Sequence, residues 1–193
     1  MKKVFIVHGF QGIPNGGWFP WLMGELAKQK ISACSLPMPN PNDPVVSEWV
    51  KVIEFSVGHP SDEVILLGHS LGAPAVLHYL KSLPSGLSVG GVLLVSGFSE
   101  PLENKNNQID LDKINSFVTP PINLTDIKSH SKKIVVIHGS DDTVVPFSYA
   151  EKMSRELECK LVRVAGGSHF SQISEPVCYK LPEALHALEE IIG

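Results

Sequence analysis

Gly68-His69-Ser70-Leu71-Gly72 follows the apolar run Val64-Ile65-Leu66-Leu67 and precedes Ala73-Pro74-Ala75-Val76-Leu77-His78-Tyr79-Leu80. A strand that turns this abruptly into a helix forces the central residue into a strained backbone conformation. Only very small neighbours fit two positions away, and glycine supplies them. The serine hydroxyl is then presented at the strand's end. With glycine and serine each about 7% of residues, such a pattern arises by chance in about one chain in twenty of this size. The strand before and the helix after distinguish a nucleophile from a mere glycine-rich turn. Ser70 is the candidate nucleophile.

A serine hydroxyl is weakly nucleophilic near neutrality. A neutral imidazole must take its proton, and a carboxylate must fix that imidazole's tautomer and steady its charge. Both are expected in loops at the carboxyl ends of later strands, in chain order serine, acid, histidine. Ile134-Val135-Val136-Ile137 leads into His138-Gly139-Ser140-Asp141-Asp142-Thr143-Val144-Val145-Pro146, and Leu161-Val162-Arg163-Val164 leads into Ala165-Gly166-Gly167-Ser168-His169-Phe170. His169 is the candidate base, reached through a flexible Gly-Gly-Ser approach. Spacing does not separate Asp141 from Asp142, because either could instead accept hydrogen bonds from the free amides of the following helix.

Acyl transfer also needs donors for the oxyanion, and backbone amides are the usual source. The Leu71 N–H is one candidate. The Phe10 N–H, in the turn His8-Gly9-Phe10-Gln11-Gly12 after the first apolar run, is the other. Aromatic residues near the strand ends, Phe10, Trp18, Phe98, Phe147 and Phe170, are candidates for an apolar substrate pocket, although helical spacing assigns one of Trp18 and Trp21 to the core. His8, His69, His138 and His169 also fall near strand ends, but no HxH or HExxH spacing accompanies them, so no metal is expected. His8 and His138 each precede a glycine and read as residues that shape a strand-to-loop turn.

Positioning these residues requires a regular frame. Short runs rich in branched residues, at Lys3 to Val7, Ser32 to Leu36, Glu63 to Leu67, Gly91 to Val95, Lys133 to Ile137 and Lys160 to Val164, read as six strands. Segments of helical period follow at about Phe19 to Gln29, Val45 to Val57, Leu71 to Leu83, Ser148 to Leu157 and Leu181 to Ile192. The strands are nearly all apolar, as in a parallel sheet covered on both faces. The expected architecture is a three-layer α/β fold in one domain spanning residues 1–193. The polar interval from Phe98 to Ser131, which contains Asn104-Lys105-Asn106-Asn107, reads as a short lid-like excursion with helical turns at Leu111 to Phe117 and Leu124 to Ser129. Pro37 to Pro44 must be extended or turned.

Composition narrows the function classes. The 193 residues amount to one domain at a typical size of about 150, and 43% hydrophobic against 19% charged residues is enough for a real core. Sixteen Lys and Arg against twenty Asp and Glu, a net charge of −4, leave no cation excess for nucleic acid. No apolar run approaches the roughly 20 residues of a membrane span. The four apolar residues before His8 are too few for a signal peptide, so a cytoplasmic protein is expected. Cys34, Cys159 and Cys178 form no CxxC pair and are expected to be buried thiols. No GxGxxG or GxxxxGK follows a strand, so no nucleotide cofactor is expected.

The ordered set VHGFQG, NGGWFPWL, LPMPNP, GHSLGAPAVLHYL, GGVLLVSGF, DDTVVPFS and GGSHF resembles the small α/β-hydrolase-fold serine hydrolases of the YdeN and retinoblastoma-binding protein nine type. The resemblance implies a triad of Ser70, Asp142 and His169. The DxxVP pattern, with the acid three positions before Val145, favours Asp142 over Asp141. It also implies a cofactor-independent hydrolase acting on a small-molecule ester or amide, of carboxylesterase type on the first reading. The alternatives are an amidase or peptidase on small substrates, or a non-catalytic module that binds a protein partner through the cleft or the excursion from Asn104 to Lys113.

Overall fold

A computed structural model describes residues 1–103, 110–171 and 177–193. Six strands, β1 (Lys3–Val7), β2 (Ser32–Ser35), β3 (Val64–His69), β4 (Gly91–Val95), β5 (Ile134–Gly139) and β6 (Lys160–Val164), form one parallel sheet in the order β2-β1-β3-β4-β5-β6. The helices are α1 (Phe19–Lys28), α2 (Val46–Val57), α3 (Gly72–Ser82), the short α4 (Leu111–Asn115), α5 (Phe147–Leu157) and α6 (Pro182–Ile192).

The two-residue side-chain period of a strand divides the core. Phe5, Val7, Leu66, Val92, Leu94 and Val136 face the side covered by α2, α3 and α5. Val4, Ile6, Ile65, Leu67, Leu93, Val95, Val135 and Ile137 face the side covered by α1 and α6. Right-handed crossovers require this split. The chain steps one way from β1 to β2 and the other way from β2 onward, so α1 lies on the opposite face from α2, α3 and α5. The direction reverses between β1 and β3, which opens a crevice at their carboxyl ends where ligands bind in sheets of this kind.

β3 and β5 run two residues beyond the apolar stretches that mark them in the sequence, because His69, His138 and Gly139 still carry the hydrogen-bonded ladder. The expectation of strands covered on both faces is corrected at the edges, where β2 and β6 are partly exposed. Cys34, on edge strand β2, is exposed rather than buried, and Cys159 and Cys178 are partly exposed.

The described part of the interval 98–131 contains α4 and a 3-10 turn at Ile127–His130. Its described part is not a bare polar excursion. Leu102, Ile114, Phe117, Val118, Ile122, Leu124 and Ile127 are buried in the α2 and α3 side of the core. The Phe117 carbonyl lies 2.6 Å from His78 Nε2 of α3, and the Phe117 ring meets Trp49 of α2 edge-on at 5.4 Å. Residues 104–109, the polar tip expected to act as a lid or partner surface, lie outside the described residues.

Candidate active site

Ser70 is the first of the two residues between β3 and α3 and has φ +53°, a left-handed conformation that costs a non-glycine residue free energy. Its N–H donates to Val95 O at the end of neighbouring β4 (2.9 Å), and its C=O accepts from Ala73 N–H (2.9 Å). These bonds hold the turn. A Cβ at Gly68 would stand 2.6 Å from Gly72 O, and one at Gly72 would stand 2.2 Å from Val7 O. The two glycines of the motif are therefore required by close backbone approach, α3 being packed directly on β3 and β1.

His169 Nε2 lies 2.9 Å from Ser70 Oγ, and His169 Nδ1 lies 2.8 Å from Asp142 Oδ2. Residues 70, 142 and 169 thus form one continuous hydrogen-bonded line. The other carboxylate oxygen of Asp142, Oδ1, accepts N–H donors from Val144 and Val145, both at 2.9 Å. Burial raises the cost of charge on Asp142, but hydrogen bonds from His138 and His169, the His169 charge and the Val145 amide outweigh it. Together they hold its carboxyl well below the usual carboxylate range. An acceptor ionised at all ordinary pH fixes the proton of neutral His169 on Nδ1 and leaves Nε2 free to accept from Ser70.

The other aspartate does different work. Asp141 is exposed, and its Oδ1 accepts the Ser168 N–H at 3.0 Å, so it anchors the loop that carries His169. That loop is held on three further sides. The His169 carbonyl accepts from His69 Nε2 (3.0 Å), the Phe170 carbonyl accepts from Trp18 Nε1 (3.2 Å), and Ser168 packs so close to Gly139 that a Cβ there would meet its carbonyl at 2.1 Å. Ser168 and Phe170, on either side of His169, both have positive φ.

The Phe10 and Leu71 N–H groups donate to no other group among the described residues. Gly9 lies against the serine, and a Cβ on it would stand 2.8 Å from Ser70 Cβ. The Gly9 carbonyl faces away, accepting from Gly12 N–H (3.1 Å) and lying 2.9 Å from His8 Nδ1. A trans peptide points its C=O and N–H in opposite directions, so the Phe10 N–H is directed away from Gly12 N–H and the His8 ring. Gln11 N–H donates to Pro41 O (2.9 Å), which ties the turn to the proline-rich loop. The Leu71 N–H stands at the start of α3, where the helix dipole also favours negative charge.

The expected aromatic pocket is corrected for three of its five members. Trp18, Phe98 and Phe170 are buried in the two halves of the core, and Trp18 supports His69 edge-on at 5.9 Å rather than lining an open wall. Only Phe10 and Phe147 are partly exposed. Phe147, at the start of α5, faces His138 on one side and Arg163 on the other. Among the described residues, no group of three or more His, Cys, Asp or Glu side chains is placed to hold a metal. None of their helices is long and apolar enough to cross a membrane.

Two buried histidines were missed as members of the site. His69 and His138 stand directly beside recognised motifs, and only their side-chain partners reveal what they do.

A parallel six-stranded sheet between two helical layers, with a strained serine at the β3–α3 turn, defines an α/β-hydrolase-fold protein. The serine hydrolase family model matches residues 4–188, and the chain belongs to that family. It is 31% identical to YdeN of Bacillus subtilis over 182 residues, covering 92% of this chain and 93% of that protein. It is 25% identical to the serine hydrolase RBBP9 of Rattus norvegicus over 171 residues, covering 87% of each. The crystal structure of YdeN superposes with a TM-score of 0.90 over 99% of this chain and 98% of that one, at 30% identity. Est1E of Butyrivibrio proteoclasticus shares the fold, with a TM-score of 0.69 at 18% identity over 99% of this chain and 85% of its own.

Proposed function

We propose that this hydrolase cleaves small carboxylic esters through an acyl-enzyme on Ser70. The observation that carries the reading is the line from Ser70 Oγ through His169 to Asp142, with both hydrogen bonds under 3 Å. Ser70 Oγ attacks the ester carbonyl carbon while His169 Nε2 takes the hydroxyl proton, and Asp142 stabilises the resulting imidazolium. The oxyanion settles against the Phe10 and Leu71 N–H groups. Collapse breaks the bond to the leaving alkoxide, which receives the proton from His169. A water molecule then repeats the sequence on the acyl-enzyme, releasing the acid and restoring Ser70. An alkoxide departs with less proton assistance than an amine, and this ranks esters ahead of amides.

A fluorophosphonate probe should label the native protein and leave Ser70→Ala unmodified, and activated esters of graded acyl length should be turned over only by the native chain. No labelling and no turnover by folded protein would reject the reading. Higher kcat/KM on an amide matched to an ester would reject the ester preference alone.

A further inference from the structure

His138 is fully buried in the last turn of β5, four residues before Asp142, and has no part in the mechanism above. Its Nε2 lies 2.8 Å from Val145 O and 3.3 Å from Asp142 Oδ2. Both neighbours can only accept, so a proton on Nε2 points to Val145 O, with Asp142 Oδ2 close beside it. Nδ1 is buried without a hydrogen-bond partner among the described residues, as a bare lone pair would be. The ring packs edge-on against Phe147 at 5.9 Å.

We propose that His138 is a positioning residue for this reaction: its Nε2–H shares the carboxylate oxygen that grips His169 and so sets how strongly Asp142 holds that imidazole. The proposal rests on the reading of Ser70, His169 and Asp142 given above. The same ring closes the turn from Asp142 to Val145, because Val145 donates its N–H to Asp142 Oδ1 and offers its C=O to His138. The carboxylate is thereby fixed in direction by three hydrogen bonds, with His138 Nε2 3.3 Å from Oδ2. A donor on Oδ2 draws charge from that oxygen and weakens its hold on the protonated form of His169. Removing it concentrates charge on Oδ2, raises the affinity of His169 for a proton, and moves the acidic limb of activity to higher pH.

His169 is faced by Ser70 from the β3–α3 turn, by His69 from the end of β3 with ring centroids 5.4 Å apart, and by Asp142 from the loop after β5. Asp141 holds the preceding residue's N–H, and His8 stands behind His69 at the end of β1.

The test compares the native chain with His138→Gln, whose side-chain amide places a donor near the imidazole Nε2, and His138→Leu, which has none. The pH dependence of kcat/KM is measured on an activated ester. We expect the native and Gln proteins to share one acidic limb. The Leu protein should show a limb about half a pH unit higher and kcat about tenfold lower at unchanged KM. An unmoved limb in the Leu protein, or equal impairment of Gln and Leu, overturns the proposal. Imidazole nitrogen NMR of the native protein provides a readout independent of variant folding and of turnover. His138 should carry its proton on Nε2 at the pH of maximal activity, and a neutral ring protonated on Nδ1 instead overturns the proposal. Failure of the fluorophosphonate labelling would reject the hydrolase reading itself and leave this tautomer result standing.

Discussion

His69 donates its Nε2–H to the main-chain oxygen of His169 at 3.0 Å, joining two residues 100 positions apart. The side chain directly before the nucleophile therefore ties the serine's turn to the loop of the base. Burial, reinforced by the proximity of His169, pushes the imidazole of His69 down to about 3. It stays neutral, with its Nδ1 buried and without a partner among the described residues.

A stability dependence follows from this burial. The unfolded chain protonates His69 near pH 6.5, whereas the folded chain resists protonation until about pH 3. Between those values the unfolded state binds more protons, so stability rises with pH in that window and is lost as pH falls through it, by up to about 1.4 kcal/mol per unit. Asp142, also held low, adds a loss in the same direction only below the ordinary carboxylate range. Urea unfolding from pH 7 to 4 should show this slope in the native chain and a shallower one in His69→Gln.

The two adjacent aspartates should separate sharply in kinetics. Asp142→Asn removes the charge that fixes the His169 tautomer and should lower kcat by about 10⁴-fold. Asp141→Asn keeps an oxygen for the Ser168 N–H and should stay within about tenfold of the native rate. Steady-state kinetics on one activated ester decides the matter, and comparable losses in the two variants would contradict the assignment.

Ser70 and His169 act as one unit, so their losses should not add. Ser70→Ala and His169→Ala should each reduce kcat by roughly 10⁴- to 10⁶-fold, and the double variant should fall no further than the worse single one. Additive losses would show that the two side chains act independently.

Gly9→Ala places a Cβ within 2.8 Å of Ser70 Cβ, in a stretch where the backbone cannot easily retreat. The serine or the turn must move, at a stability cost of about 1–3 kcal/mol. Displacing the Phe10 N–H as well should lower kcat by about 100-fold or more. Circular dichroism separates this from unfolding, since the sheet should remain.

Much of the frame was legible because its cause is local. Runs such as Val64 to Leu67 and Gly91 to Val95 are apolar throughout, and a strand buried on both faces must be so. The ends were less legible. His69 and Gly139 look like loop residues by composition, yet they pair within the sheet because neighbouring strands extend alongside them. The aromatic residues misled for a related reason. Trp18 and Phe170 lie 152 positions apart, and only their contact shows that the ring is consumed in bracing the His169 loop rather than in forming a pocket.

The order of strands and helices, the turn that displays Ser70 and the presence of an acid and an imidazole in later loops were all written in the sequence, since each depends on hydrophobic period or on the space a glycine leaves. Spacing left Asp141 and Asp142 equal and only the DxxVP resemblance favoured Asp142; that Asp142 lies 2.8 Å from His169, that His69 holds the His169 loop and that His138 stands beside the acid were decided by the folded chain. Hydrogen bonds between residues far apart depend on where the sheet sets each loop and how each side chain turns, and no local pattern encodes that.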